Sequence, residues 1–288
     1  MNQLVGVGTA LVTPFNAQGH IDFNALQRLI EYNLTGKVNY LVTLGTTGEA
    51  ATLSEEEKLE VLQFTLQCVA GRVPVVVGIG GNNTKGVIRQ MQQWPLDKVT
   101  AILSVSPYYN KPSQEGIYQH YAALAQNSPL PIILYNVPGR TSSNLTADTT
   151  LRLANDFENI VAMKEASGNM VQCMHLAAKK PNHFVLLSGD DHIALPLIAC
   201  GYQGVISVIS NCYPAVFSQL IRCALAGNFE DARPLQAQLL DKMDLLFAEN
   251  NPAGVKAFLA EMGIIENHLR LPLVPLSSHW LQKVKAAV

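Results

Sequence analysis

Eight short apolar runs recur along the chain, and each is rich in β-branched residues. Stretches with helical periodicity separate these runs at intervals of about 25–35 residues, so a strand–helix unit repeats. Runs that are apolar on both faces are typical of a parallel sheet covered by helices. The eight predicted strands are Val5–Thr13, Tyr40–Gly45, Val73–Gly80, Thr100–Ser106, Pro131–Val137, Ile160–Ala166, Phe184–Gly189 and Gly204–Ser210.

The repeat predicts an α/β fold in which eight parallel strands close into a (β/α)8 TIM barrel. An open, doubly wound sheet is the alternative, but Gly78–Asn83 lacks the third glycine of the dinucleotide-binding fingerprint. Strand signals cease after Ser210. The tail predicts helices only, over Asn228–Asn250, Pro252–Met262 and Ser278–Ala287. We therefore expect a barrel domain over residues 1–227 and a small helical domain over residues 228–288.

Helix ends are marked in the sequence as well. Ser54 followed by Glu57 forms the pattern of a capping box, in which each side chain satisfies the backbone amide of the other. Gly71 is expected to end the helix that starts there, because glycine readily adopts the left-handed conformation at a helix end.

Composition narrows the functional classes. The 288 residues carry a net charge of −2, which favours neither nucleic acid nor an anionic membrane as a partner. No apolar run approaches the roughly 20 residues of a membrane span. Five scattered cysteines without a Cys-x-x-Cys pair fit a reducing compartment. The N-terminal segment lacks the pattern of a signal peptide, so a cytoplasmic location is expected.

Polar residues follow the predicted strands, where a barrel of this kind forms its active site. Lys164 stands at the end of the sixth apolar run, beside apolar surroundings that disfavour a charged amine. A neutral lysine amine is a nucleophile that forms an imine with a carbonyl. The alternative is a strand-end lysine whose amine extends into water.

Two further strand ends carry candidate chemistry. Thr46 and Thr47 lie in a glycine-flanked turn whose backbone amides could hold a carboxylate, although an ordinary turn explains them equally well. Tyr135 could move protons at a reacting centre near Lys164, and the fork of Arg140 matches a carboxylate. Rim packing for the tyrosine and a surface ion pair for the arginine are the alternatives.

The remaining strand ends favour binding or structural roles. Tyr108 and Tyr109 could extend a hydroxyl chain or pack at a rim or subunit interface. Gly189 permits close approach of a ligand, and Ile206 offers an apolar wall. The pair Asp190–Asp191 is interpreted as the acidic start of a helix rather than as a metal site. The seven histidines show no metal-ligand spacing, so we expect no metal.

Taken together, five motifs resemble the dihydrodipicolinate synthase / N-acetylneuraminate lyase family, and the likeness runs nearly end to end, including Asn251–Pro252 and Lys256. It implies a TIM barrel with a helical C-terminal domain, a homotetramer made of two tight dimers, and cofactor-free Schiff-base chemistry on pyruvate. The motifs are Gly45–Glu49, Tyr108–Pro112, Tyr135–Thr141, Lys164–Gly168 and Leu187–Asp191.

The resemblance also implies catalytic roles for four residues. Lys164 matches the lysine that forms the imine with pyruvate, and Tyr135 matches the proton donor and acceptor. Thr46 and Tyr109 match the hydroxyls of a proton relay, in which the tyrosine reaches in from the partner subunit.

Substrate contacts are implied in the same way. Thr47 and Ile206 match pyruvate-binding positions, and Gly189 lines the same pocket. Arg140 matches the arginine that holds the carboxylate of L-aspartate 4-semialdehyde in the synthases and that the sialic-acid lyases lack. We therefore expect a synthase of the lysine and diaminopimelate pathway. The alternatives are another pyruvate aldolase of this fold and a non-catalytic barrel that binds a keto acid.

Family members that free lysine inhibits place acidic and polar groups near the dimer interface. Asn82 and Tyr108 fit that pattern, but Gly86 stands where an acid is common. Lys58, which stands where some members have histidine, would repel a bound ammonium. We expect weak or absent inhibition by lysine.

Overall fold

Eight parallel strands close into a barrel in the order of the chain, β1 to β8, with β8 pairing back to β1. The computed structural model describes residues 2–288, so Met1, which the predicted barrel domain includes, lies outside the described residues. All eight predicted strands are confirmed. The strands are β1 Gly6–Ala10, β2 Tyr40–Thr43, β3 Val75–Gly78, β4 Ala101–Val105, β5 Ile132–Asn136, β6 Ile160–Glu165, β7 Val185–Ser188 and β8 Gly204–Ser207.

Helices cover the outside of the barrel and form the tail. Short 3-10 turns span Asn2–Leu4, Thr46–Gly48, Ala50–Thr52 and Ile209–Asn211. The helices are α1 Phe23–Thr35, α2 Glu55–Val69, α3 Thr84–Gln93, α4 Gln114–Asn127, α5 Pro138–Thr141, α6 Ala147–Asp156, α7 Met170–Lys179, α8 Ala194–Ala199, α9 Pro214–Leu225, α10 Phe229–Phe247, α11 Ala253–Glu261 and α12 Ser278–Ala287.

The strands end earlier than the apolar runs that predicted them. The predicted eighth strand extends to Ser210, but β8 ends at Ser207 and the chain then turns through a 3-10 segment. Many of the residues just beyond the strands are still buried, such as Leu11 and Val12 after β1 and Val208 and Ile209 after β8, so their apolar character does not distinguish strand from loop.

Helix α2 begins as predicted, with the capping box between Ser54 and Glu57 fully formed. Its end differs from the prediction, because the last helical residue is Val69 and Ala70 takes the first left-handed position, with φ +49°. Gly71 follows with φ +74°.

The strands contribute side chains to two separate apolar cores. Alternate side chains point outward to the helices or inward to the barrel axis, as the pleat of a strand requires. In β5, Leu134 belongs to the outer core, whereas Ile133 and Tyr135 belong to the inner cluster, which also contains Ile206. In β6, Ala162 belongs to that inner cluster, and Lys164, two residues further on, shares its face. The division of the chain at residue 227 stays a prediction.

Candidate active site

Lys164 and Tyr135 lie side by side at the carboxyl ends of two neighbouring strands. The two residues are register partners in β6 and β5, and the Lys164 Nζ atom lies 4.4 Å from the centroid of the Tyr135 ring. Only 5% of Lys164 is exposed. Among residues 2–288, its amine donates no hydrogen bond and forms no ion pair. No charged group in the described part of the chain therefore holds this amine, and it remains available to a ligand.

Gly189, just after β7, leaves the space that the Lys164 side chain occupies. A Cβ atom at this position would lie 3.0 Å from Cε and 3.1 Å from Cγ of Lys164, and 2.7 Å from Cβ of Ala166. A larger residue would therefore clash with Ala166 and shift the Lys164 side chain by a few tenths of an ångström. The structure thus brings Gly189 to the lysine that the sequence predicted.

The Thr46–Gly48 turn follows β2 at the mouth of the barrel. Within residues 2–288, the amides of Thr46 and Thr47 donate to no carbonyl or side chain. The Thr13 hydroxyl donates to the carbonyl of Gly48 over 2.7 Å and so holds the turn in place. Two free amides at the start of a turn form a site that suits an anion.

The mouth of the barrel contains a cavity of about 460 Å³. Its lining includes Thr46, Tyr135 and Arg140, so three of the predicted site residues face the same space. It also includes Asn251, from the segment between α10 and α11. The other predicted residues are absent from this lining: Thr47, Tyr109, Lys164, Gly189 and Ile206. Tyr135 therefore connects the cavity with the buried amine.

Arg140 is exposed and lies on the single-turn helix α5, directly after β5. Its Nη2 atom donates to the main-chain carbonyl of Asn251 over 3.2 Å. Within residues 2–288 the guanidinium forms no ion pair, so its charge and its other donors remain available. This arrangement suits an arginine that receives a carboxylate at the cavity entrance.

Tyr109 is not brought to the other site residues within one chain. It is 87% exposed, and its backbone adopts the left-handed conformation with φ +74°. The Tyr109 amide donates to the carbonyl of Thr141 over 3.4 Å, which orients the loop but leaves the phenol in solvent.

A hydrogen-bonded network fixes the strand ends beside the lysine. Asn136 Nδ2 donates to both carboxylate oxygens of the buried Glu165, over 3.2 and 3.1 Å, and Gln172 donates to the same carboxylate over 2.9 Å. Asn136 follows Tyr135 in the sequence, and Glu165 follows Lys164. Gln172 lies on α7, the helix that follows β6. The network therefore fixes the relative position of the two candidate catalytic residues.

A buried ion pair, which the sequence analysis missed, joins the tail to the barrel mouth. Glu49 follows the Thr46–Gly48 turn with φ +53°, and its Oε1 atom lies 2.5 Å from Nζ of Lys256 in α11. Burial lowers the pKa of Lys256 to about 8, although Glu49 acts in the opposite direction. Arg270 adds a hydrogen bond from its backbone amide to Glu49 over 3.1 Å.

Asn251 is a second residue whose role the sequence analysis missed. Its Nδ2 atom donates to the hydroxyl of Thr47 over 2.8 Å, so the tail reaches the anion-binding turn directly. The sequence offered one signal, since the Asn251–Pro252 pair precedes a helix, but nothing local indicated its partner.

The interpretation of Asp190 and Asp191 as the acidic start of a helix is wrong. Helix α8 begins only at Ala194, and the carboxylate of Asp191 instead accepts from the amides of Val208 and Ile209, over 2.9 and 2.8 Å. Burial raises the pKa of Asp191, and these amide bonds partly offset the effect. Asp191 therefore holds the turn after β8, a long-range contact that sequence neighbours cannot reveal.

Within residues 2–288, no group of three or more histidine, cysteine, aspartate or glutamate side chains is placed to hold a metal ion. None of the described helices combines the length and the apolar character needed to cross a lipid bilayer.

Known proteins resemble this chain along its whole length. The profile of the Dihydrodipicolinate synthetase family matches residues 3–288. A 4-hydroxy-tetrahydrodipicolinate synthase of Azobacteroides pseudotrichonymphae is 52% identical, and the alignment covers 100% of this chain and 98% of the relative. The corresponding enzyme of Parabacteroides distasonis is 49% identical, with 98% of this chain and 95% of the relative covered.

Solved structures agree with the sequence relatives. The dihydrodipicolinate synthase of Acinetobacter baumannii, solved in complex with pyruvate, superposes with a TM-score of 0.96 at 39% identity, covering 99% of this chain and 97% of that one. The enzyme of Aquifex aeolicus gives a TM-score of 0.95 at 39% identity, with 98% and 96% covered. With a family profile and close relatives that span nearly all its residues, the chain belongs to the dihydrodipicolinate synthetase family.

Proposed function

We propose that this chain is a 4-hydroxy-tetrahydrodipicolinate synthase, a lyase of the lysine and diaminopimelate pathway that condenses pyruvate with L-aspartate 4-semialdehyde. The names of its full-length relatives and the pyruvate complex of a neighbour support this function. The observation that carries it is the buried amine of Lys164, without an ion pair and against the ring of Tyr135. Imine formation requires an amine of that kind.

In the first half of the reaction, the neutral amine of Lys164 attacks the ketone carbon of pyruvate. Thr47 and the free amides of Thr46 and Thr47 hold the pyruvate carboxylate, while Ile206 and Gly189 border the bound substrate. Tyr135 transfers protons to and from the carbinolamine oxygen, which leaves as water when the imine forms. Loss of a methyl proton then converts the imine into an enamine.

In the second half, the enamine carbon attacks the aldehyde carbon of the semialdehyde, and a new carbon–carbon bond forms. Arg140 holds the carboxylate of this substrate at the cavity entrance. The substrate's amino group then displaces Lys164 from the imine carbon and closes the ring, which restores the free lysine. The imine itself acts as the electron sink, so the residues need no metal or organic cofactor for these steps.

The assembly and location complete the proposal. We infer a cytoplasmic homotetramer, a dimer of dimers, in which the exposed Tyr109 of one subunit completes the Thr46–Tyr135 proton relay of its partner. The exposure of Tyr109, which faces no other site residue of its own chain, supports this role. Residues 1–227 form the catalytic barrel in this proposal, and residues 228–288 form the helical domain, which contributes Asn251, Pro272 and Leu273 to the mouth cavity.

Feedback by lysine is expected to be weak or absent. Lys58 lines the mouth cavity, and Glu55 neutralises it only partly through an exposed ion pair of 2.6 Å. Asn82 donates to the carbonyl of Tyr108 over 3.1 Å. No acidic residue occupies position 86. A titration that showed strong inhibition by submillimolar lysine would contradict this expectation.

Product formation from pyruvate and L-aspartate 4-semialdehyde is the decisive test, measured beside cleavage of N-acetylneuraminate. We expect turnover only in the first assay, together with a pyruvate adduct on Lys164 after reduction with sodium cyanoborohydride. Cleavage of the sialic acid instead would identify a pyruvate lyase of the same fold. Pyruvate that binds without a reducible adduct would indicate a non-catalytic barrel.

A further inference from the structure

Asn251 contacts both of the groups to which we assign a substrate carboxylate. Its side-chain Nδ2 atom donates to Thr47 Oγ1 over 2.8 Å, and its main-chain carbonyl accepts from Arg140 over 3.2 Å. Asn251 is buried and lines the mouth cavity, although it lies 204 residues from Thr47 along the chain. One residue of the tail therefore touches both ends of the proposed substrate site.

The direction of the bond to Thr47 matters because a hydroxyl carries a single proton. Thr47 Oγ1 accepts from the amide of Asn251, and within residues 2–288 the hydroxyl itself donates to nothing. Its proton is therefore free to point elsewhere. A carboxylate only accepts hydrogen bonds, so a hydroxyl whose proton is free is the partner that it requires.

We propose that Asn251 is a positioning residue that orients the Thr47 hydroxyl as a donor towards the pyruvate carboxylate. The inference rests on the proposed function, because it takes Thr47 as a pyruvate contact. Asn251 does not touch the reacting atoms in this scheme. It acts through Thr47 by its side chain and through Arg140 by its main chain, so the two contacts can be separated by mutation.

The test uses Asn251→Asp in the full-length protein. The change preserves shape, removes the donor and supplies an acceptor that turns the Thr47 proton away from the substrate. We expect the KM for pyruvate to rise by about 10- to 100-fold, the range that loss of a charge-assisted hydrogen bond produces. The KM for the aldehyde should change less, because Arg140 binds the main-chain carbonyl. kcat at saturating pyruvate should be nearly unchanged.

Three comparisons separate this role from a structural one. Asn250→Asp, at the exposed neighbouring position, adds the same charge and should leave the KM for pyruvate unchanged. In a Thr47→Val background, Asn251→Asp should have little further effect, since the two residues act through one bond. At lower pH, protonation of the introduced carboxyl restores a donor, so the KM defect should shrink as the pH falls.

Asn251→Ala removes the hydrogen-bond donor without adding a charge. It replaces Asn251→Asp in the same KM measurement if the aspartate variant does not fold. Its expected effect is a rise of about 3- to 10-fold in the KM for pyruvate. An unchanged KM in a folded variant, or equal effects of Asn251→Asp with and without Thr47→Val, would overturn the proposal. Failure of the proposed function would look different, because the wild-type protein would then give no pyruvate adduct and no turnover.

Discussion

Lys164 and Lys256 are both buried lysines, but they differ in what surrounds their amines. Lys256 is completely buried, and its Nζ atom contacts the carboxylate of Glu49 at 2.5 Å and the carbonyl of His268 at 2.9 Å. Both amines also lie over an aromatic ring, that of Phe15 for Lys256 and that of Tyr135 for Lys164, but Lys164 has neither of the two polar contacts.

The difference shows that burial alone does not mark a reactive lysine. An ammonium that is removed from water is costly unless a charge and hydrogen bonds replace its hydration. Lys256 has those partners, so it can remain a structural cation that joins the tail to the mouth. Lys164 lacks those partners, so its amine is not held by any charged group and lies beside the Tyr135 ring at the strand end where the substrate carbonyl would arrive.

The largest effect is expected from Lys164→Met, which removes the amine that we propose to be reactive. Turnover should fall by about 10³-fold or more, as it does when other enzymes lose a nucleophile, and the reducible pyruvate adduct should disappear. Lys179→Met, at an exposed helix end, is the matched control and should retain both. An adduct that survives in Lys164→Met would identify another lysine as the nucleophile.

Lys256→Met should instead reduce stability, because it leaves the Glu49 carboxylate buried without its cation. We expect the free energy of unfolding in urea to fall by about 3–5 kcal/mol. The double variant with Glu49→Gln should recover part of that loss. Folded Lys256→Met protein should still form the pyruvate adduct. Equal stability of the variant and the wild type would show that the ion pair makes no net contribution.

Gly189→Ala tests whether the position of the Lys164 amine matters. The added methyl would lie 2.7 Å from Ala166 Cβ and 3.0 Å from Lys164 Cε, so the lysine must move. The rate of adduct formation should fall by about 10- to 100-fold, as expected when a reacting group is misplaced by a fraction of an ångström or more. Gly139→Ala, where a methyl group meets nothing within 4 Å, should leave the rate unchanged.

The smallest effect concerns the pH dependence of stability. The pKa of Lys256 is lowered by burial from 10.5 to about 8 in the native protein. Between these values the unfolded chain binds a proton that the native state has released, so native stability rises with pH. The difference in unfolding free energy between wild type and Lys256→Met should therefore widen by about 2–3 kcal/mol from pH 8 to 10.5. A constant difference would contradict the lowered pKa.

The barrel and much of its site could be predicted from the sequence because their signals are local. The eight apolar runs specify strands, and a closed parallel barrel places consecutive strands side by side. Lys164 and Tyr135 end neighbouring strands, so their proximity follows from the fold. Asp191 was misinterpreted for the opposite reason, since its partners, the amides after β8, lie outside its own segment.

The sequence by itself determined the strand–helix repeat, the polar strand ends and the family resemblance. Only the tertiary structure decided that Asn251 meets Thr47 and that Lys256 meets Glu49, both across about 200 residues of chain. Periodicity records which face of an element is buried, and burial requires no particular partner. A buried polar group, in contrast, needs a specific hydrogen-bonding or charged partner. Only the tertiary fold determines which distant residue supplies that partner.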